Sequence, residues 1–231
     1  MTSIGIISDI HADIDGLEVA LDFLKRQNVD EIWCAGDLVD RGVDGNAVVK
    51  RIRHEQIPTV QGNHDFSARR SQEWVMKDPE ISAFLADTPD FDDQPEKMLI
   101  STELSEINLM FLDYLPPALK FERDGVMIEL THANTFDQMT YIYPNSRQSL
   151  FHEVLKATVA DLIILGHTHK PMKVYQDGVL RIINGGSVAM NSGMPEKSCG
   201  ILTLPERDFT VYDLTTQKAV PVPTVKLDES E

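Results

Sequence analysis

The chain has 231 residues, 42% hydrophobic and 25% charged, which suits a globular fold with a full core. Its formal net charge of −16 argues against bulk nucleic-acid binding, and no apolar run approaches the length that crosses a bilayer. A phosphorylated ligand stays compatible with that charge, because bound divalent cations and a few local arginines reverse the sign of a pocket.

The start, MTSIGIISDIHAD, shows no basic leader, so no signal peptide is expected and the cytoplasm is the expected compartment. SIGIIS (3–8) reads as a short buried strand. Ile14, Leu17, Leu21 and Leu24 then fall at helical spacing over 14–28, with Asp13 placed as N-cap. EIWCA (31–35) is a second strand, Val48, Val49 and Ile52 mark a second helix, and IPTVQ (57–61) is a third strand. This βαβαβ order predicts an α/β fold with parallel pairing. Residues 67–87 read as a helix anchored by Trp74, Ile81, Phe84 and Leu85 with a break at Asp78-Pro79, followed by an acidic loop over 88–96. KMLIST (97–102), EINLMFL (106–112) and GVMIELTH (125–132) read as strands of a second sheet. A helix over 146–159 turns Leu150, Val154 and Leu155 inward, and DLIIL (161–165) is a buried strand. Hairpins over 172–184, turning at Asp177-Gly178, and over 199–214 follow, and KLDESE (226–231) reads as frayed. With no repeat and no long linker, one domain over 1–231 is expected, with 66–105 as a helical cap or insertion. Cys34 and Cys199 sit in strand-like surroundings and are expected to be buried free thiols.

Five strands end in polar clusters: SDIHAD, GDLVDRG, GNHD, THAN and GHTH. In α/β sheets ligands bind outside the carboxyl ends of the strands, so a shared site is expected there. The clusters bring Asp9, His11, Asp37, Asn63, His64, His132, His167 and His169, five of the chain's seven histidines. His54 and His152 fall on helices and need no special role. Imidazoles with carboxylates and one amide oxygen suit Mn²⁺, Fe or Zn²⁺ better than Mg²⁺ or Ca²⁺, and no cysteine joins them to make a structural zinc knot. Eight donors exceed the needs of one ion. Two ions ~3.5–4 Å apart, bridged by a carboxylate, would use them, acidify a bridging water and clamp an in-line displacement. The planar fork of Arg41 could take two phosphate oxygens, or pair with an aspartate of its own loop.

DIH, GDLVDRG, GNHD, TH and GHTH, in this order between residues 9 and 169, resemble the five-part signature of the calcineurin-like metallophosphoesterases. The resemblance implies a four-layer α/β/β/α sandwich of two mixed β-sheets flanked by helices. It also implies that Asp9, His11 and His169 hold one ion, that Asp37 bridges two, and that Asn63, His132 and His167 complete the second. Mn²⁺ is expected first, with Fe, Zn²⁺ and Ni²⁺ as alternatives. His64 would donate a proton to the leaving group or contact the phosphate, with Asp40 orienting it and Arg41 on the substrate. Asp65 would order the GNHD loop. The implied reaction is hydrolysis of a small phosphodiester or phosphomonoester by a metal-bridging hydroxide.

SDIHAD departs from the GDIHG of protein phosphatases, while GHTH and NGGS (184–187) lean to the small prokaryotic phosphodiesterases. GDLVDRG keeps a likeness to phosphatases, so dinucleoside polyphosphates and phosphoproteins are alternative substrates. Phe66, Arg69, Arg70 and Trp74, with Phe136, Tyr141 and Tyr143 of the loop over 134–143, would either line the substrate pocket or pack an added helix. A metal-bound interaction scaffold is the non-enzymatic alternative. Such platforms usually lose a ligand or proton donor, and this chain keeps every one of those positions.

Overall fold

A computed structural model of the chain describes residues 1–77, 103–189 and 197–228. The elements in order are β1 (Thr2–Ile7), α1 (Ile14–Arg26), β2 (Glu31–Cys34), α2 (Gly45–Glu55), α3 (Asn63–Lys77), α4 (Glu106–Asp113), β3 (Ala118–Arg123) and β4 (Val126–Thr131). There follow α5 (Gln148–Lys156), β5 (Leu162–Leu165), β6 (Met172–Gln176), β7 (Val179–Asn184), β8 (Ser198–Leu204), β9 (Asp208–Asp213), β10 (Lys218–Val220) and β11 (Thr224–Leu227). One sheet has the order β10-β9-β8-β1-β2 and the other β11-β6-β7-β5-β4-β3. Both are mixed: β1 runs parallel to β2 and antiparallel to β8, while β4, β5 and β7 run parallel between antiparallel neighbours.

Alternation along the strands builds the layers. Ile4 and Ile6 of β1 meet Ile128, Leu130, Leu162 and Ile164 of the second sheet. Ile7 faces the other way, among Leu17, Leu21 and Leu24 of α1 and Val48 and Ile52 of α2. On the far side, Ile163 and Leu165 of β5 pack on Phe151, Val154 and Leu155 of α5. The result is the four-layer α/β/β/α sandwich. β7 carries one extra residue against β6, where Val174 pairs Ile182 and Tyr175 pairs Leu180. That bulge at Arg181 lets Leu180 point between the sheets while Ile182 points toward α5. Asp13 caps α1 as the sequence predicts, its carboxylate accepting from Gly16 N at 2.8 Å.

Several expectations need correction. EINLMFL is not a strand but helix α4: Asn108, Leu109 and Leu112 are buried at helical spacing, and Arg69 of α3 reaches both Glu106 and Asp113. A continuous apolar run does not by itself distinguish the two states. The edge strand of the second sheet is instead ALKFER, β3, folded back on β4 through Asp124-Gly125, whose φ values of 49° and 75° suit a tight hairpin turn. IPTVQ makes only a single parallel bridge, Thr59 to Cys34; Pro58 has no N–H for a ladder. KLDESE is not frayed throughout: Lys226 and Leu227 belong to β11, which pairs with β6. α3 begins at Asn63, earlier than predicted. The Asp78-Pro79 break, Ile81, Phe84, Leu85 and KMLIST lie outside the described residues. Cys34 and Cys199 are buried and free. No helix among the described residues is long and apolar enough to cross a membrane.

Candidate metal centre

β1, β2, β4, β5 and β7 all point their carboxyl ends at one edge of the sandwich, and the chain leaves each of them in a tight, left-handed turn or short loop. Asp9 (φ 53°), His11 (49°), Asp37 (56°), Asp40 (74°), Arg41 (64°), His167 (66°) and His169 (55°) all adopt the left-handed region. Aspartate and histidine tolerate it better than most residues, and its cost concentrates at functional sites. Two glycines make the convergence sterically feasible. A Cβ on Gly62 would lie 2.0 Å from Asp37 Oδ1, and one on Gly166 would lie 2.0 Å from Ser8 Oγ.

The structure brings together all eight clustered donors, each nearly or fully buried. His11 Nε2 lies 3.0 Å from His169 Nε2 and 3.9 Å from Asp37 Oδ2; His169 Nε2 lies 3.3 Å from Asp9 Oδ1. On the other side of Asp37, His132 Nε2 lies 3.2 Å from Asp37 Oδ2 and 2.9 Å from Asn63 Oδ1. Ligand atoms within 4.8 Å of one another form three groups: Asp9, His11 and His169; Asp37, His132 and His167; and His11, Asp37 and His64. Asp37 belongs to the last two groups and His11 to the first and last, so Asp37 and His11 link the two sides of the centre.

The donor chemistry fits cations. His132 Nδ1 lies 2.6 Å from the Ala35 carbonyl oxygen, and a carbonyl only accepts, so Nδ1 carries a proton. In the neutral ring Nε2 then offers a lone pair, yet it faces a carboxylate oxygen and an amide oxygen. His11 repeats the pattern, with Nδ1 3.3 Å from Val39 O and Nε2 turned to His169 and Asp37. Lone pairs aimed at one another require either extra protons or positive ions among them. Anchoring the outer nitrogen on a backbone carbonyl is also how metal-binding imidazoles are oriented.

The electrostatics carry the same message. Burial opposes ionisation of Asp9, but the charge and hydrogen bond of His169, with His132 behind, hold its carboxyl at about 2. Burial likewise works against ionised Asp37, and His132, His64 and His11 overcome it, holding the carboxyl well below its usual value. Burial disfavours charged His132, yet Asp37 raises it to about 9. Burial and neighbouring imidazoles push His11 well down and His167 to about 4. The carboxylates are thus held ionised and His11 and His167 neutral, the forms that bind metal, while a bound cation would replace the proton that Asp37 holds on His132.

His64 stands apart by its partner. Its Nδ1 lies 2.8 Å from Asp40 Oδ2, and its backbone N donates to Asp37 Oδ1 at 2.9 Å. Burial lowers its pKa, but Asp37 and Asp40 outweigh that and raise it. Arg41 N donates to Asp40 Oδ1 at 2.9 Å, and its positive charge is felt by both His11 and His64. Arg69 is held by Glu106 and Asp113 of α4, an engagement that ties α3 to α4.

Other residues supporting the centre gave weaker sequence signals. Ser8 Oγ donates to Asp9, and Ser187 Oγ donates to Asp9 O at 2.7 Å. Asn184 of NGGS donates to Gly166 O at 2.6 Å, steadying GHTH. Ser8 opens SDIHAD, and Asn184 and Ser187 are the ends of NGGS, so each of the three lies in a motif the sequence shows; nothing local marks the Met139 carbonyl, 3.1 Å from His167 Nε2.

A family model described as the calcineurin-like phosphoesterase superfamily domain matches residues 2–207. The uncharacterized protein MJ0912 of Methanocaldococcus jannaschii is 29% identical over 186 residues, covering 79% of this chain and 68% of its own. Phosphodiesterase MJ0936 of the same organism is 23% identical over 208 residues, 89% of this chain and 95% of its own. A solved metallophosphoesterase from Sphaerobacter thermophilus shares the fold with a TM-score of 0.66 at 23% identity, over 92% of this chain and 87% of that one.

Proposed function

The chain belongs to the calcineurin-like phosphoesterase superfamily, and from that premise we propose that it is a hydrolase of small phosphate esters that works with two divalent cations, Mn²⁺ foremost, and prefers a diester. The observation that carries the reading is the convergence on Asp37: imidazole nitrogens from both sides, His11 Nε2 at 3.9 Å and His132 Nε2 at 3.2 Å, meet one buried carboxylate oxygen. The diester preference is supported by the likeness to the Methanocaldococcus phosphodiesterase along 95% of that protein.

Asp9, His11 and His169 would hold one cation, Asn63, His132 and His167 the other, and Asp37 both. When bound, the pair would neutralise phosphoryl charge and lower the pKa of a water for attack. His64 would protonate the leaving oxygen through Nε2, because Asp40 holds Nδ1 at 2.8 Å and favours the charged ring. The Arg41 guanidinium would contact the remaining phosphate oxygens.

The test is Mn²⁺-dependent turnover of bis-p-nitrophenyl phosphate against p-nitrophenyl phosphate, with Asp37→Ala as the blank. Diester turnover that disappears in the blank supports the reading. Monoester turnover alone makes the protein a phosphatase, and a metal-loaded protein inert on both leaves the scaffold alternative.

A further inference from the structure

We propose that residues 134–141 are a positioning element that selects the nitrogen His167 presents to the centre. The inference rests on the metal-hydrolase reading and deepens it. Asn134 and Asp137 tie the segment into a knot. Asn134 Oδ1 accepts from Phe136 N and Asp137 N, each at 2.8 Å. Asp137 Oδ1 accepts from Met139 N and Thr140 N at 2.7 Å and from Asn134 Nδ2 at 3.1 Å, while Oδ2 accepts from Thr140 Oγ1 at 2.7 Å. Two side chains anchor the knot to the fold. Thr131 Oγ1 donates to Asn134 O at 2.9 Å, immediately before His132, and Thr135 Oγ1 donates to Val154 O of α5 at 2.7 Å.

The knot delivers two groups to His167. The Met139 carbonyl oxygen lies 3.1 Å from Nε2. The Tyr141 ring stacks on the imidazole, with centroids 3.9 Å apart and planes 20° apart. A carbonyl has no proton to give, so Nε2 carries one and the lone pair of the neutral ring falls on Nδ1. The stacked tyrosine fixes the plane in which that lone pair lies, and His132 closes another side at 5.0 Å and 64°. Tyr143 runs parallel to Tyr141 at 5.6 Å, with Lys170 Nζ 5.6 Å from its ring centroid, so the row of rings extends away from the centre. His167 therefore acts as an Nδ1 ligand, and a backbone carbonyl in a surface loop makes the choice. Loss of such an outer partner typically weakens a metal site about 10–100-fold.

The wild type and the Tyr141→Leu, Tyr141→Phe and Asp137→Ala variants would be stripped with chelator and titrated with Mn²⁺ alone. Bound metal would be counted after desalting, and the EPR signal of the spin-coupled ion pair recorded. Asp137 is exposed and Tyr141 is 41% exposed, so neither change opens the core, and thermal melts of the metal-free proteins check folding. The expected result is two ions in the wild type. Tyr141→Leu and Asp137→Ala keep one ion at wild-type affinity, bind the second about 10–100-fold more weakly, and show isolated-ion spectra. Tyr141→Phe, which keeps the ring, restores the coupled signal. Wild-type binding of both ions in Tyr141→Leu and Asp137→Ala, or equal weakening of both, overturns the positioning role while leaving the hydrolase reading intact. A wild type that binds no Mn²⁺ overturns the reading beneath it.

Discussion

Asp65 has no surface exposure and gathers three backbone donors. Its Oδ2 accepts from Asp37 N at 2.9 Å and Gly62 N at 3.0 Å, and its Oδ1 accepts from Leu38 N at 2.8 Å. These bonds stitch the loop after β2 to the start of α3, the two segments that carry Asp37 and Asn63. Asp65→Ala strands three buried donors, each costing about 1–3 kcal/mol. Two effects offset part of the loss. Burial and the nearby Asp37 charge push the Asp65 carboxyl up to about 6, so its ionised form is already unfavourable, and a water entering the vacated volume re-pairs some donors. The net destabilisation is about 3–4 kcal/mol. A raised folded-state pKa means the stabilisation from Asp65 is complete below the carboxyl's usual 3.8 and declines as pH rises through about 6. The gap between wild type and variant is therefore wider at about pH 5 than at about pH 7.5. Urea unfolding in chelator measures it free of stabilisation by bound ions. A gap under about 1 kcal/mol, or one that widens toward alkaline pH, refutes the reasoning.

Four further outcomes follow from the same geometry. His64→Ala lowers kcat about 10²–10⁴-fold on an alkyl diester and far less on a p-nitrophenyl ester, whose leaving group needs no proton. Asp40 helps raise the His64 pKa, and under the proposed acid role the protonated ring would be the active form, so Asp40→Asn is expected to move the alkaline fall of the pH–rate profile to lower pH; an unmoved limb would count against the pairing. Gly62→Ala drives a Cβ into Asp37 Oδ1 and costs the protein at least one ion by metal analysis. Phe151→Ala empties a fully buried position between α5 and the second sheet; it costs about 3–5 kcal/mol in urea unfolding and leaves metal content unchanged.

Much of the centre was legible along the chain because each short strand hands its ligand types directly to the turn that follows it. Asp9 and His11 follow β1, Asp37 follows β2, His132 follows β4, and His167 and His169 follow β5. Parallel strand direction is implied by the strand-helix-strand order, so the shared edge could be inferred before any contact was seen. The identity of α4 could not: EINLMFL is apolar enough for either state, and the decision came from Arg69 and from the core surface beneath Leu109 and Leu112. β3 and β11 were missed for a related reason, since an edge strand is defined by its partner as much as by its own residues.

What the sequence determined by itself is a donor inventory: which side chains can bind a cation, at which strand ends, and on which side of the sheet. What the tertiary structure decided is orientation. Ala35 O, Val39 O and Met139 O accept from one nitrogen of each ring, and Asp65 clasps two loops, across separations that no local pattern encodes. Backbone carbonyls are present at every residue and so carry no sequence signal. Only folding determines which of them meets an imidazole.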